Sequence, residues 1–195
     1  MKSIEIKGTA RQIAERSSEQ CKALKEIRRN NGVPCVLYGG GENVHFTVTN
    51  DMLRNLVYTP AIYSVNLDID GKKIRAILKD IQFHPVKDFI LHVDFLEVID
   101  NKPIVMEVPV QLEGLAEGVK EGGKLTLQMR KLKVKALCDN VPEKLTINVS
   151  RLGLGKTVKV GELLFEGLEL LNAKDNVVCA VKLTRAARGL AAKKQ

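Results

Sequence analysis

The feature that most constrains this chain is a two-residue alternation of apolar and polar side chains through most of its first half. Successive side chains of a strand point to opposite faces, so the alternation predicts half-buried strands. Asp70-Gly71 is a two-residue hairpin signal, because both positions must tolerate a positive φ. A mainly β first domain follows. Its predicted strands cover residues 3–9, 33–38, 45–48, 63–69, 72–81 and 90–97.

Two short helices are predicted between these strands. Residues 19–30 carry apolar side chains at helical spacing, and Asn31 after them suits the left-handed conformation that ends many helices. Asn50 is the predicted N-cap of a second helix over residues 51–57. That helix ends ahead of Pro60, since the residue before a proline disfavours helical backbone.

The second half of the chain is also β-rich, and it follows a polar break over residues 99–103. We place the domain boundary near residue 97, with a first domain over 1–97 and a second over 98–185. A glycine-rich stretch over 113–123 interrupts the second domain, and residues 161–163 open one helical turn. Its predicted strands are 104–112, 124–138, 144–149, 168–171 and 176–183. Residues 184–195 are predicted to be a frayed basic end, with 186–195 as a basic tail.

The composition is that of an ordinary globular protein, with 45% hydrophobic and 28% charged residues in 195. No apolar run approaches the roughly 20 residues that cross a membrane. The N-terminus also lacks the apolar segment of a signal peptide. We therefore expect a cytoplasmic protein without a membrane partner.

The four cysteines are scattered, without a C-x-x-C pair. With no export signal, reduced packing thiols are favoured over disulfides. Zinc is disfavoured because neither the cysteines nor the three histidines have the spacing of a ligand set. The cysteines are Cys21, Cys35, Cys138 and Cys179.

Positive charge is concentrated at the two ends of the chain. The net charge is +8. Residues 2–29 hold eight basic residues against four acidic ones, and residues 182–195 hold five basic residues and no acid. This distribution favours a polyanionic partner without identifying one.

A polar pair interrupts an otherwise apolar predicted strand at His92-Val93-Asp94-Phe95. On a strand, His92 and Asp94 share one face while Val93 and Phe95 point into a core. Polar groups on a buried strand cost packing, so the pair indicates a function. Catalysis, metal binding and recognition are the three candidates.

Catalysis and metal binding have weak support in the sequence. His92 with Asp94 could form an oriented general base, but no G-x-S-x-G motif or catalytic cysteine supplies a nucleophile. His84, His92 and Asp94 match no common metal-ligand spacing. A hydrolase that uses His92 and Asp94 stays open as an alternative.

Two glycine clusters resemble ligand loops. Residues 153–157 end in G-K-T, but Ser150 stands where a phosphate loop needs its first glycine, and a strand pattern follows instead of a helix. Gly39-Gly40-Gly41 either forms a loop at a strand end or leaves backbone bare for a ligand. Both interpretations of that cluster stay open.

The first predicted helix carries a basic stripe. Lys22, Lys25 and Arg29 follow at i, i+3 and i+7, with Arg28 beside them. Arginine forks suit phosphate oxygens and base edges, and a tyrosine such as Tyr38 can stack on a base. A carboxylate beside such cations repels phosphate, so Asp94 favours specific readout over simple charge attraction.

These residues match a known family over residues 3 to about 185. The chain resembles the bacterial ribosomal proteins that bind 5S rRNA, in the long two-domain form called general stress protein CTC. The motifs that carry the resemblance are Arg28-Arg29, Val33-Pro34, Val36-Leu37-Tyr38-Gly39, Asp80, Gln82, His84-Pro85, His92-Val93-Asp94-Phe95, Val108-Pro109-Val110, Leu112, Gly114, Gly118-Val119 and Gly122-Gly123.

The resemblance implies a non-enzymatic, ribosome-associated protein of the large subunit. Its first domain would be a six-stranded β-barrel with short helices, binding loop E of 5S rRNA, and its second domain mostly β. No cofactor or small-molecule substrate is implied, since Mg²⁺ there belongs to the RNA. Other subunit proteins and 23S rRNA are further candidate partners, and we expect a monomer in isolation.

The site residues carried over from the family occupy matching positions. Gln82 and His84 belong to the motif and either contact RNA or brace the loop ahead of His92. Lys22 would add salt-dependent affinity. The family's RNA contacts correspond to Arg11, Arg28, Arg29, Tyr38, His92 and Asp94.

The chain departs from the family at two places. Residues 20–23 replace a G-K-G-A-type loop, and Glu26 introduces an acid among the arginines. The basic tail replaces the acidic extension of many long members. Besides the hydrolase, a stress-linked protein-binding module that acts off the ribosome remains an alternative.

Overall fold

The computed structural model describes residues 2–12, 17–99 and 102–184. The chain divides into two compact units, Met1–Lys102 and Pro103–Gln195. The division falls at the end of the polar break, whereas the sequence predicts it near residue 97.

The first unit is a closed six-stranded barrel with the order β1-β3-β2-β6-β5-β4. The pairs β1–β4 and β2–β6 are parallel, and the other neighbours are antiparallel. The predicted barrel is therefore confirmed. Its strands are β1 (Lys2–Ala10), β2 (Gly32–Tyr38), β3 (Val44–Thr49), β4 (Tyr63–Ile69), β5 (Lys72–Phe83) and β6 (Ile90–Glu97).

Two helices connect these strands, α1 (Ser17–Arg29) and α2 (Asn50–Val57). Asn31 after α1 has φ 62°, as its left-handed role predicts. The prediction that Asn50 caps α2 is wrong. Asn50 is already the first residue of the helix, and Thr49 before it holds the extended cap position. The Asn50 N–H donates to the Asn31 carbonyl at 3.0 Å.

The hairpin between β4 and β5 forms at the predicted turn. Asp70 and Gly71 both have positive φ, 49° and 89°. The Gly71 N–H donates to the Asp68 carboxylate at 3.1 Å, and the Ala10 N–H donates to the Asp70 carboxylate at 3.1 Å. The turn therefore also binds the end of β1 and helps to close the barrel.

Aliphatic side chains and two phenylalanines fill the barrel. Phe46 and Phe95 are fully buried, with ring centroids 5.8 Å apart. Burying a side chain of this size contributes about 1.5–3 kcal/mol relative to exposure. Cys35 lies in the same core, where burial raises the pKa of its thiol to about 12. The thiol is therefore a packing group, as predicted. None of the four cysteines forms a disulfide.

A bulge in β5 decides which of its side chains face outward. The pairing with β6 shifts between Leu78 and Asp80. Ahead of the bulge Leu78 packs against the core, and beyond it Ile81 does so. Because the bulge adds one residue, Asp80 and Gln82 point to the outside of the barrel.

The second unit contains two sheets with the orders β10-β7-β9-β12 and β11-β13-β8. Two 3₁₀ turns, Cys138–Asn140 and Val160–Glu162, connect strands, and the second lies at the predicted helical turn. The mostly β character of the unit is confirmed. Its elements are β7 (Ile104–Glu113), α3 (Glu117–Lys120), β8 (Lys124–Leu127), β9 (Lys131–Ala136), β10 (Leu145–Asn148), β11 (Thr157–Lys159), β12 (Glu169–Leu170) and β13 (Val177–Lys182).

One strand prediction in this unit is wrong. Residues 124–138 form two strands in different sheets, because β8 pairs with β13 whereas β9 pairs with β7. Between them, the N–H groups of Gln128 and Met129 both donate to the Val178 carbonyl. The short helix α3 within the glycine-rich stretch was not predicted. The predicted tail over 186–195 lies outside the described residues.

Candidate nucleic-acid interface

Strand β6 separates its polar and apolar side chains as the alternation predicts. Val93 and Phe95 are fully buried in the barrel. The side chains of His92 and Asp94 are 25% and 29% exposed on the outer surface. Both groups are therefore held by a rigid strand and remain accessible from one side.

His92 and Asp94 form a hydrogen-bonded pair. His92 Nδ1 lies 2.7 Å from Asp94 Oδ1. A carboxylate only accepts, so Nδ1 carries the hydrogen of this bond, and Nε2 is an acceptor whenever the ring is neutral. Within the described residues Asp94 is the side-chain partner of His92. A nucleophile beside His92, which the hydrolase alternative requires, does not appear there.

The barrel register brings further polar residues beside this pair. Asp80 lies opposite Asp94, and Gln82 opposite His92. On the other side of β6, Val36 lies beside Asp94, and His45 lies opposite Val36. Residues directly across a pair of strands share a face. We call the outward set the polar face: Arg11, Tyr38, His45, Asp80, Gln82, His92 and Asp94.

Tyr38 ends β2 on the same outward side as Val36 and is half-buried. Burial, followed by the negative charges of Asp94 and Asp80, raises the pKa of Tyr38 above its ordinary value. The phenol therefore stays protonated at neutral pH and can donate a hydrogen bond. The two carboxylates lie directly opposite each other, an arrangement that costs stability unless a partner relieves it.

Arg11 brings a cation to the opposite edge of the polar face. The backbone N–H of Arg11 donates to the His45 carbonyl at 2.8 Å, so Arg11, which follows the end of β1, lies beside His45 on β3. Burial, then the charges of Arg11 and His92, lower the pKa of His45. The Arg11 Nε is enclosed, yet it has no acceptor among the described residues. An unsatisfied buried N–H costs about 1–3 kcal/mol, so an acceptor on a partner would be favoured here.

Arg28 has a role within the protein that the sequence did not reveal. Its Nε and Nη2 donate to the Leu91 carbonyl at 3.4 and 3.1 Å. Arg28 is half-buried and joins the end of α1 to the start of β6. It lies at the end of the polar face next to His92, with part of its guanidinium already bonded to backbone.

Of the other basic residues of α1, two line a cleft next to Arg28 and one does not. Lys25 and Arg29 are exposed and line a cleft between α1 and the starts of β2 and β6. Lys22 is also exposed, but it is not among the residues that line this cleft.

The two motif residues ahead of β6 have different environments. Gln82 is exposed opposite His92. His84 Nδ1 accepts the N–H groups of Val86 and Lys87, each at 3.2 Å, and its ring packs on Phe89 with centroids 4.7 Å apart. Of the two roles left open for His84, the geometry favours bracing the loop.

A side chain of the protein lies against the glycine loop that follows Tyr38. Gly39 and Gly41 have φ of 113° and 134°. A Cβ on Gly40 would collide with the carboxylate of Glu97. The positive φ accounts for glycine at positions 39 and 41, and the backbone at Gly40 is approached by the Glu97 side chain from the end of β6.

Other candidate sites find no support in the described part of the chain. It contains no cluster of three histidine, cysteine or acidic side chains that could hold a metal. The G-K-T segment leads into strand β11 instead of a helix, as expected for a turn. No helix among the described residues is long and apolar enough to span a bilayer.

Two residues of the polar face were not predicted as site residues. His45 could have been found from the alternation in β3, which places it opposite to the buried Phe46. Asp80 stands within the motif, but only the β5 bulge turns it outward beside Asp94.

Comparison with known proteins agrees with this architecture. Residues 11–95 match the sequence model of the Ribosomal L25p family, and residues 103–185 match that of the ribosomal protein TL5 C-terminal domain. The chain is thus of the class of two-domain ribosomal proteins.

Full-length relatives specify the family. The chain is 81% identical to the large ribosomal subunit protein bL25 of Bacteroides thetaiotaomicron, over 98% of each chain. It is 65% identical to bL25 of Parabacteroides distasonis and 61% identical to bL25 of Porphyromonas gingivalis, over 99–100% of the lengths. The chain therefore belongs to the bL25 family of large ribosomal subunit proteins.

This membership confirms the resemblance found in the sequence. The protein is a structural component of the large ribosomal subunit, associated with the ribosome in the bacterial cytoplasm. The hydrolase alternative is excluded with it, because the family is not one of enzymes.

Proposed function

We propose that this protein binds 5S rRNA, at its loop E region, through the polar face of the first unit. The observation that carries the proposal is the His92–Asp94 pair, whose Nδ1 and Oδ1 atoms are 2.7 Å apart. The side chain of Val93 between them is fully buried, which holds the strand in place. A rigid strand presents these groups without a conformational cost on binding.

Two kinds of contact divide the work of binding. Arg11, Arg29 and Lys22 supply attraction to phosphates, which weakens as salt increases. Arg28, at the end of the face, contributes the part of its guanidinium that Leu91 leaves free. These contacts set affinity and position, but they carry little sequence information.

The polar side chains supply selectivity. Tyr38 donates or stacks, Gln82 both donates and accepts, and His92 accepts through Nε2. Asp94 has a second carboxylate oxygen that can accept from a base amino group or a 2′-hydroxyl. Asp80 and Asp94 also repel phosphates, so the face disfavours RNA that presents only its backbone there.

The two domains are assigned to different partners. Residues 1–97 form the 5S rRNA-binding domain, and Mg²⁺ at the interface belongs to the RNA. Residues 98–185 and the basic tail are available to other subunit proteins or 23S rRNA. The free protein is a monomer.

A competition gel shift with the full chain tests the proposal. We expect wild type to prefer 5S rRNA over an unrelated RNA of equal length. Asp94→Asn keeps the shape but removes the charge that fixes the His92 tautomer, so the preference falls by about tenfold, or roughly 1.4 kcal/mol.

Asp175→Asn is the matched control, since this carboxylate is 96% exposed on the second unit. It should leave both affinity and preference unchanged. Equal affinity of wild type for both RNAs would contradict the proposed function.

A further inference from the structure

A cleft of about 230 Å³ opens at the end of the barrel where β2 and β6 begin. The end of α1 forms one wall, and the loop ahead of β6 forms the other. It combines cations, an aromatic ring and an apolar floor, a combination that the polar face itself lacks. Its lining includes Lys25, Arg28, Arg29, Phe89, Val33 and Ile90.

The wall formed by α1 carries the cations and is anchored to β6 through Arg28. Lys25 and Arg29 are one helical turn apart and therefore project from the same face of α1. Neither forms an ion pair with a carboxylate of the described residues. Arg28 between them is bonded to the Leu91 carbonyl, which keeps this turn of α1 against β6. Lys25 and Arg29 therefore project, without an ion-pair partner among the described residues, from a turn of helix that Arg28 anchors.

The opposite wall offers an aromatic ring in a braced loop. Phe89 is 38% exposed. The His84 N–H donates to the Phe89 carbonyl at 2.8 Å, the Asp88 N–H donates to the His84 carbonyl at 3.0 Å, and the His84 ring packs on Phe89. A single exposed phenylalanine is common on protein surfaces. One that is braced by its own loop and lies across a cleft from three cations is suited to base stacking.

The cleft is continuous with the polar face. The Leu91 carbonyl that binds Arg28 immediately precedes His92, and Ile90 at the cleft lies two residues from His92. Two residues of a strand span about 7 Å. An RNA strand that contacts His92 therefore reaches the cleft within one or two nucleotides.

We propose that this cleft takes one unstacked nucleotide of the bound rRNA, with its base on the Phe89 ring and its phosphate between Lys25 and Arg29. The inference rests on the proposed function and adds a second recognition element to it. His84 is then a positioning residue, since it orients Phe89 without contacting the RNA.

The chain contains no tryptophan, which allows a direct optical test. Phe89→Trp introduces a single indole at the proposed stacking position. Val86→Trp places it on the same loop at a residue that is 83% exposed and does not line the cleft. On titration with 5S rRNA, emission of the first variant should be quenched by base stacking, and that of the second should not.

Affinity measurements supply an independent readout. Phe89→Leu keeps an apolar side chain but loses the ring, and should weaken 5S rRNA binding about five- to one-hundred-fold. Lys25→Gln with Arg29→Gln should reduce the slope of log affinity against log salt by about one. Thermal unfolding of each variant separates a binding defect from misfolding.

The outcomes distinguish this inference from the proposed function. If 5S rRNA binds Phe89→Trp without changing its emission, and binds Phe89→Leu as tightly as wild type, the cleft is not a nucleotide site and the polar face stands. If wild type shows no preference for 5S rRNA, the proposed function fails. Quenching of Phe89→Trp by single-stranded hexaadenylate then decides the cleft, since only a stacking site predicts it.

Discussion

The outer surfaces of the two units carry their charges in opposite ways. In the second unit, β9 exposes a row of lysines, and Lys133 and Lys135 lie opposite Glu107 and Glu169 on the neighbouring strands. Lys135 Nζ is 3.0 Å from the Glu169 carboxylate. Lys133 and Lys135 therefore each have a carboxylate opposite them within the fold.

The polar face of the first unit is arranged otherwise. Asp80 lies opposite Asp94, so like charges meet across β5 and β6. The Arg11 Nε lacks an acceptor among the described residues. Both arrangements lower the stability of the free protein, and a bound partner that supplied a cation and an acceptor would relieve them. On the proposed function, a lack of mutual compensation between charges, more than net charge, distinguishes the polar face from the surface of the second unit.

The largest expected effect separates two adjacent arginines. Arg28→Ala removes the hydrogen bonds to the Leu91 carbonyl and should lower the free energy of unfolding by about 1–2 kcal/mol. Arg29→Ala, one residue away and exposed, should change it by less than about 0.5 kcal/mol. Urea unfolding of both variants checks this, and an equal loss would show that Arg28 does not anchor α1.

Measuring stability against pH tests whether the surroundings of His45 lower its pKa. Because burial and then the charges of Arg11 and His92 lower the pKa of His45 below 6.5, the unfolded chain binds its proton more readily than the folded chain does. Stability from neutral His45 is therefore full above about pH 6.5 and is lost as pH falls through the lower, folded pKa.

His45→Gln should remove this contribution. We expect its urea midpoint to fall less than that of wild type between pH 7.5 and pH 5.5. Identical falls in the two proteins would mean that His45 is not held neutral by its surroundings.

The smallest effect is expected on the self-compensated surface. Lys135 and Glu169 are 42% and 63% exposed, so Lys135→Ala should cost less than about 0.5 kcal/mol of stability. It should also leave 5S rRNA affinity unchanged in a gel shift, whereas Arg29→Ala weakens it. A comparable loss of RNA binding in both variants would erase the distinction between the two surfaces.

Local patterns predicted the elements well where each strand has one buried face. Strand β6 and the division of His92 and Asp94 from Val93 and Phe95 follow from alternation alone. The Asp70-Gly71 hairpin follows from backbone preference. Predictions were wrong where partners decided the outcome: residues 124–138 look like one strand, but their halves pair in different sheets.

The sequence predicted the residues of the candidate site and their convergence on one side of the first barrel, but not the contacts among them. The sequence brought out Arg28 as an RNA contact, and the structure shows its bond to the Leu91 carbonyl, 63 residues away. The bulge that turns Asp80 and Gln82 outward shows in the sequence only as a change of phase between the apolar Leu78 and Ile81. It arises because β5 has to remain paired with β6 along its length while the barrel closes.

In strands without a bulge, the order of residues alone determined which side chains point inward and which point outward, because that choice depends only on the two-residue period of the backbone. In β5 the bulge shifts this alternation, so the pairing with β6 also decided which side chains point outward. Barrel closure decided which outward side chains became neighbours. The parallel pairing of β2 with β6 and the shift in β5 bring Tyr38, Asp80 and Asp94 together from three distant segments. Pairing depends on contacts between segments far apart in the chain, and no local pattern contains them.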